Sequence, residues 1–130
     1  MKIHLLQYIT RSLVIGAMSI VPFGASALAE GADMTKNIDA GRTLAFDRAK
    51  GNCLACHALP GGTMAGDVGP ALPMKGVTFQ QMFQTKEKLV AFLADPEKMF
   101  PYANMPEFGK NKVLTHEELG LIADYLWSLK

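Results

Sequence analysis

The sequence is poor in cysteine and histidine and carries almost no excess charge. Only two of its 130 residues are cysteine and three are histidine, which excludes a scaffold of several disulfides and a zinc site made of four cysteines. Thirteen Lys and Arg residues nearly balance twelve Asp and Glu residues, so the chain as a whole has no attraction for nucleic acid or anionic lipid. The length allows one domain, and 49% hydrophobic residues are enough for a core.

The N-terminal apolar run is too short to cross a membrane. It covers residues 13–21, follows a basic head that contains Lys2 and Arg11, and ends at Pro22. A membrane anchor, the alternative, needs about 20 apolar residues. The small residues at 27–29 suit a cleavage site. The pattern predicts a signal peptide at 1–29, export to the periplasm, and a mature domain at 30–130 with eleven basic and twelve acidic residues and no membrane span.

The two cysteines lie in a C-x-x-C-H pattern. Cys53 and Cys56 are three residues apart, so one helical turn presents both sulfurs on one side, where they add to the two vinyl groups of a haem. His57 follows Cys56 directly, which would place its imidazole over the haem face as an axial ligand of the iron. A redox C-x-x-C pair is one alternative, but the Gly-rich residues 60–62 do not supply a βαβ context. Half of a zinc site is the other, and only His116 remains as a histidine ligand in the mature chain. The motif predicts one covalently bound haem c.

Helix start and stop signals predict three helices in the mature chain and no strand. Their starts are Asp39, Thr85 and the Thr115-x-x-Glu118 capping box, and their ends are near Gly51, Asp95 and Lys130. The segments between them, residues 58–76 and 101–109, contain several glycines and prolines and are expected to be loops. The sequence therefore predicts an all-α fold in which loops wrap the haem.

The second axial position of the iron needs a ligand or stays open. Six methionines remain in the mature chain, and a methionine most often fills a gap in a core. Met105 differs because Pro106 stiffens its loop, and because it lies forty-eight positions after His57, which is enough chain to reach the other haem face. Met99, Met74 and His116 are the alternatives. Ligation by a histidine and a methionine would leave no vacant site for a substrate.

A ligating imidazole normally donates its other N–H to a fixed acceptor. The segment Val68-Gly69-Pro70-Ala71-Leu72 begins eleven residues after His57. Its Gly-Pro turn could present a backbone carbonyl to the imidazole, and Leu72 could cover the adjacent ring face. An ordinary surface turn is an equal alternative.

The chain resembles the class I c-type cytochromes and, within them, the monohaem SoxX cytochromes of the sulfur-oxidation (Sox) system. The resemblance runs from about residue 38 to residue 130. It is carried by four segments: Gly41-Arg42-Thr43-Leu44-Ala45-Phe46-Asp47, Lys50-Gly51-Asn52-Cys53-Leu54-Ala55-Cys56-His57-Ala58, Val68-Gly69-Pro70-Ala71-Leu72 and Met105-Pro106-Glu107-Phe108-Gly109. Glu107 departs from the pattern, which has a second proline there.

The resemblance implies an all-α class I cytochrome c fold and a set of site residues. Cys53 and Cys56 would form the thioethers, His57 and Met105 would be the axial ligands, and the Pro70 carbonyl would accept from His57. The helix containing Gly41 would cross the last helix near Tyr125 and Trp127.

The resemblance also implies a partner and a reaction. A SoxX subunit pairs with the haem subunit SoxA, and the complex oxidatively joins thiosulfate to a cysteine of the carrier SoxYZ. Substrate chemistry is then expected on SoxA, and this chain, with no catalytic site of its own, passes electrons to an acceptor such as a small cytochrome c. A free-standing electron shuttle is the first alternative. A haem sensor, in which Met105 is a weak or absent ligand, is the second.

Overall fold

The computed structural model describes residues 25–130. Its α-helices are α1 (Ala25–Phe46), α2 (Phe79–Phe83), α3 (Lys86–Ala94) and α4 (His116–Ser128), and two short 3-10 helices cover Cys53–Ala55 and Pro96–Lys98. This part of the chain contains no strand, and the prediction of an all-α fold is confirmed. No helix within it is both long and apolar enough to span a membrane. The basic head and apolar run of the predicted signal peptide lie outside the described residues.

The predicted limits of the first helix were wrong at both ends. Asp39 does not cap α1 but lies inside it, and its carbonyl accepts from the Thr43 hydroxyl at 2.9 Å. The helix ends at Phe46 instead of continuing to Gly51. The Asp47 side chain accepts from the backbone N–H of Ala49 at 2.8 Å, and such a local side-chain bond offers the backbone an alternative to the next helical turn.

The predicted starts of the other two helices were correct. The Thr85 hydroxyl accepts from the Lys88 N–H at the start of α3. At the start of α4, the Thr115 hydroxyl accepts from the Glu118 N–H, and the Glu118 carboxylate accepts from the Thr115 N–H, so both halves of the capping box form. α3 also stops at Ala94, directly before Asp95 and the helix-breaking proline that follows.

α2, a helix of five residues, was not predicted from the sequence. Its capping box, made by Thr78 and Gln81, lies between the predicted loop that ends at residue 76 and the predicted helix start at Thr85. The helix buries two phenylalanines, Phe79 and Phe83, whose rings stack 6.2 Å apart. α2 therefore forms because it contributes aromatic area to the core, and not because of a long apolar repeat.

The core lies where α3 and α1 pack on α4. The buried apolar side chains come from all four α-helices and from the loops, and they are Ala45, Leu59, Phe79, Phe83, Leu89, Leu93, Phe108, Leu114, Leu119, Ile122, Ala123, Tyr125 and Leu126. α4 contributes five of them, more than any other element, because its apolar residues recur at helical spacing on one face.

The crossing of α1 and α4 depends on Gly41. A Cβ at this position would overlap the Leu121 carbonyl of α4 and lie 3.1 Å from the Ile122 backbone nitrogen. Glycine thus permits the two helix backbones to touch. One turn later, the rings of Phe46 and Tyr125 meet edge to face at 6.0 Å. The crossing expected near Tyr125 is confirmed, and its closest approach lies one turn earlier.

Candidate haem site

The C-x-x-C-H motif forms a single tight turn at the end of α1. Cys53 begins a 3-10 helix, and its carbonyl accepts from the N–H groups of Cys56 and His57 at 3.2 and 2.9 Å. The turn is attached to α1 by the Gly51 N–H, which donates to the Leu44 carbonyl at 3.1 Å. A Cβ at Gly51 would lie 2.8 Å from the same carbonyl oxygen. The glycine before the motif therefore allows the turn to lie directly against the helix.

The two thiols are free and partly buried. Burial raises the pKa of the Cys53 thiol to about 11, and the nearby Cys56 adds to this increase. Redox-active cysteines have lowered pKa values, because the thiolate is the reactive form. The raised pKa of Cys53 therefore does not favour a redox role for that thiol. In the described part of the chain, no group of three His, Cys, Asp or Glu side chains could hold a metal ion, so the pair has no partners there for a zinc site.

The loop at 66–72 lies along the motif and is bonded to it at three points. Three loop N–H groups donate to motif carbonyls at 2.8 Å each, and the pairs are Gly66 to Leu54, Gly69 to Cys56, and Leu72 to Ala58. Two of the donors are glycines for a steric reason. A Cβ at Gly66 would overlap the Ala55 carbonyl, and a Cβ at Gly69 would lie 2.6 Å from Nδ1 of His57. The loop backbone therefore lies so close to the motif that neither position has room for a side chain.

The same loop holds the imidazole of His57. Its Nδ1 lies 2.6 Å from the Pro70 carbonyl oxygen, a distance at which an Nδ1–H donates a hydrogen bond. This is the contact that the resemblance implies, and it leaves Nε2 as the ring nitrogen for a metal. Leu72 is half-buried and packs against the core. Its role as a cover for the haem stays a prediction.

The candidates for the second axial ligand of the iron differ in their surroundings. Met105 is half-buried and packs against the core, whereas Met99 is 42% exposed. Met74 is half-buried in the loop after Pro70 but does not pack against the core cluster. His116, the first residue of α4, is exposed. The assignment of Met105 as a ligand stays a prediction.

The loop that carries Met105 is fixed to the end of α3. The Ala94 carbonyl accepts from the N–H groups of Gly109 and Lys110, both at 3.1 Å. Phe108 is buried, and its carbonyl accepts from the N–H groups of Val113 and Leu114. The loop therefore has an ordered backbone, although Glu107 replaces the expected second proline. The ion pair of Glu107 with Lys110 adds a further link at this position.

These residues fit a covalently bound haem. Two free thiols lie three residues apart on one turn, the adjacent histidine has one ring nitrogen paired and the other unused, and a half-buried thioether is available at Met105. Haem supplies reversible one-electron chemistry at iron. The protein supplies the attachment points and fixes the orientation of the imidazole.

Three features of the site were missed by the sequence analysis. The close approach at Gly66 was read only as loop composition, and Gly69 was read as part of a Gly-Pro turn without its close contact to the imidazole, although clustered glycines beside a motif are a signal for such contacts. The third is the ion pair of Lys50 with Glu118 at 2.7 Å, which ties the residues before the motif to α4. It joins residues 68 positions apart, and nothing in the local sequence indicates it.

Comparison with known proteins agrees with this geometry. The family model described as cytochrome c matches residues 38–130, a range that contains the whole motif, the loop at 66–72 and the Met105 loop. A search of curated proteins and a search of solved structures both gave no match. The matched range is most of the chain and covers every candidate site residue, so this chain belongs to the cytochrome c family, whose members are electron-transfer proteins with covalently bound haem c.

Proposed function

We propose that the protein is an exported monohaem cytochrome that acts as the SoxX-like subunit of a SoxAX complex. The observation that carries the proposal is that Cys53 and Cys56 are the chain's only thiols. Two thioether bonds would use both of them and leave no cysteine to act as a nucleophile. Thiosulfate chemistry would then take place on the SoxA haem, and this chain would conduct the electrons onward.

The proposed axial ligands are His57 and Met105. The Pro70 carbonyl orients His57, and the anchored loop carries Met105. With both axial positions filled, the iron would have no open coordination site for a substrate or a gas. Ligation by Met105 would therefore exclude the haem-sensor alternative and leave electron transfer at the haem edge as the role of the iron.

Exposed apolar side chains support the proposed subunit role. Tyr102 is 96% exposed and Phe100 is 49% exposed, and both lie directly before the Met105 loop, next to the exposed Met99. Phe100 is held in place by an edge-to-face contact with Phe92 at 5.7 Å. Aromatic and methionine side chains are enriched in protein interfaces, so this segment is a suitable surface for SoxA. A free shuttle needs only a small contact area around the haem edge.

The ligand assignment is tested with Met105→Ala. We expect the oxidised wild-type protein to be low-spin, with the long-wavelength charge-transfer band of a methionine–iron(III) bond. The band should disappear in Met105→Ala, and the iron should then bind cyanide or imidazole readily. Met99→Ala and Met74→Ala are the matched controls and should keep the band. A band that survives Met105→Ala would show that the sixth ligand is another residue.

The subunit assignment is tested by reconstitution. The complete mixture contains this protein, a SoxA-type subunit, the carrier SoxYZ, thiosulfate and an electron acceptor such as a small cytochrome c, and each component is omitted in turn. We expect turnover only when both cytochrome subunits are present. Consumption of thiosulfate by the isolated chain, or equal turnover without it, would contradict the assignment. In the second case the free shuttle becomes the better interpretation.

A further inference from the structure

Gly109 lies where the Met105 loop meets the helical core. Its backbone lies against the last residue of α3. A Cβ at Gly109 would lie 2.8 Å from Ala94 Cβ, 3.0 Å from Ala94 Cα and 3.2 Å from Leu119 Cδ1. The backbone conformation of Gly109 is not left-handed, so another residue type would be opposed only by these contacts.

The surroundings of Gly109 have little freedom to move aside. Ala94 Cα is part of the α3 backbone, and its carbonyl is already held by the Gly109 and Lys110 N–H groups. Leu119 is 2% exposed and packs in the centre of the core. Side chains in close-packed interiors have few alternative positions. A side chain at Gly109 would therefore displace the loop rather than the helices.

A displacement at Gly109 would reach Met105 through a short piece of chain. Only three residues separate the two. The middle of this piece is stiff, because Pro106 has a fixed φ and its carbonyl accepts from the Phe108 N–H at 3.1 Å. Phe108 itself is buried and cannot rotate outward without exposing its ring. The segment thus transmits a shift to the Met105 backbone.

We propose that Gly109 is a positioning residue that sets the distance from the Met105 thioether to the haem iron. The inference rests on the proposed ligation by Met105. Carbon atoms pack best at about 3.5–4.0 Å, so relieving the contact with Ala94 Cβ requires a retreat of roughly 1 Å. Metal–ligand distances tolerate changes of only about 0.2 Å. The absence of a side chain at Gly109 thereby allows the loop to lie close enough for the bond.

The test compares Gly109→Ala with Gly120→Ala in the oxidised holoprotein. Gly120 is the matched control because a Cβ there meets no atom within 4 Å. For Gly109→Ala we expect loss of most of the methionine–iron(III) charge-transfer band. Its affinity for added imidazole should be at least about tenfold higher than that of wild type, since a displaced Met105 no longer competes with imidazole for the iron. Far-ultraviolet circular dichroism should remain that of wild type. Gly120→Ala should keep the band and the wild-type affinity.

A second substitution tests the contact itself. Ala94→Gly removes the nearest atom, so the double variant Gly109→Ala/Ala94→Gly should regain part of the band. If Gly109→Ala does not accumulate with haem, Ala94→Ser takes its place, because it adds one atom to the same contact and should shift both readouts in the same direction. An unchanged band and imidazole affinity would overturn the proposal, even if the variant unfolds more easily.

Met105→Ala, measured in parallel, separates this inference from the ligand assignment. If Met105→Ala keeps the band, the ligand assignment is wrong and the proposal for Gly109 falls with it. If Met105→Ala loses the band and Gly109→Ala keeps it, Met105 is the ligand and only the positioning role of Gly109 is wrong.

Discussion

Gly69→Ala should break the hydrogen bond that orients His57. The new Cβ would lie 2.4 Å from Cε1 and 2.6 Å from Nδ1 of the imidazole. The ring belongs to the motif and, in the proposed holoprotein, also binds the iron, so the loop is the part that must retreat. Pro70 is the next residue along the chain, and its carbonyl would move away with the loop.

The size of the effect follows from the distances. An ordinary contact of about 3.5 Å with Cε1 requires the loop to retreat by roughly 1.1 Å. The distance from Nδ1 to the Pro70 carbonyl oxygen, 2.6 Å in the structure, would then reach about 3.7 Å, beyond the range of a hydrogen bond. A lost hydrogen bond of about 1 kcal/mol makes the imidazole a weaker base and stabilises iron(III) less. Since a tenfold change in equilibrium is about 59 mV for one electron, the midpoint potential should rise by up to about 40 mV.

The assay is a spectroelectrochemical titration of the holoprotein. Gly120→Ala, again with free space for the added Cβ, controls for the substitution and should keep the wild-type potential. Gly69→Ala should have a higher potential with unchanged helix content. A folded Gly69→Ala protein with the wild-type potential would refute the reasoning, because the contact would then have been relieved without disturbing the bond to Pro70.

Three further predictions concern stability. Gly41→Val should lower the free energy of unfolding by about 3 kcal/mol in guanidinium titrations, since overpacking costs about 1–3 kcal/mol and the Leu121 carbonyl cannot move aside. A loss below about 1 kcal/mol would contradict the close crossing of α1 and α4. The ion pair with Lys50 and the bond from the Thr115 N–H lower the pKa of Glu118 below its usual 4.5. Wild type should therefore be more stable than Glu118→Gln at pH 7, and this difference in stability should vanish as the pH falls through the lowered pKa. A difference that persists in acid would exclude the ion pair as its cause. Alanine at both motif cysteines should leave the chain largely unfolded by circular dichroism, because haem burial and folding are linked, and native helix content there would refute this.

Sequence reasoning succeeded where the structure is decided locally. The capping contacts of Thr85 and Thr115 form with residues three positions away, so the chemical signal and the structure share one short window. The C-x-x-C-H turn is local in the same sense, because Cys53 accepts the N–H groups of its own third and fourth neighbours. Elements of this kind can be read without knowing the rest of the fold.

Prediction from the sequence failed where burial or a contact between distant residues determines the structure. Residues 30–36 of α1 are all exposed, so no apolar period marks them as helical, and Asp39 was taken as the start because caps were the only remaining signal. α2 is too short to display a period at all. The positions of Gly41 and Gly109 matter only because another helix backbone or side chain lies against them, and a single sequence does not state what lies opposite a glycine.

The two axial sides of the proposed haem site are built in different ways, and this difference has a physical consequence. The His57 side is held by bonds between residues no more than about fifteen positions apart, from the motif to the loop at 66–72. The Met105 side depends on Ala94 and on buried Phe108, hence on the packing of α3 and α4. Loosening of those helices therefore removes the main support of Met105, whereas the loop at 66–72 keeps its bonds to the motif and loses only the link of Lys50 to Glu118 and the packing of Leu72. Local openings cost less than global unfolding, so of the two proposed ligands the Met105 thioether should respond more strongly to the packing of the core.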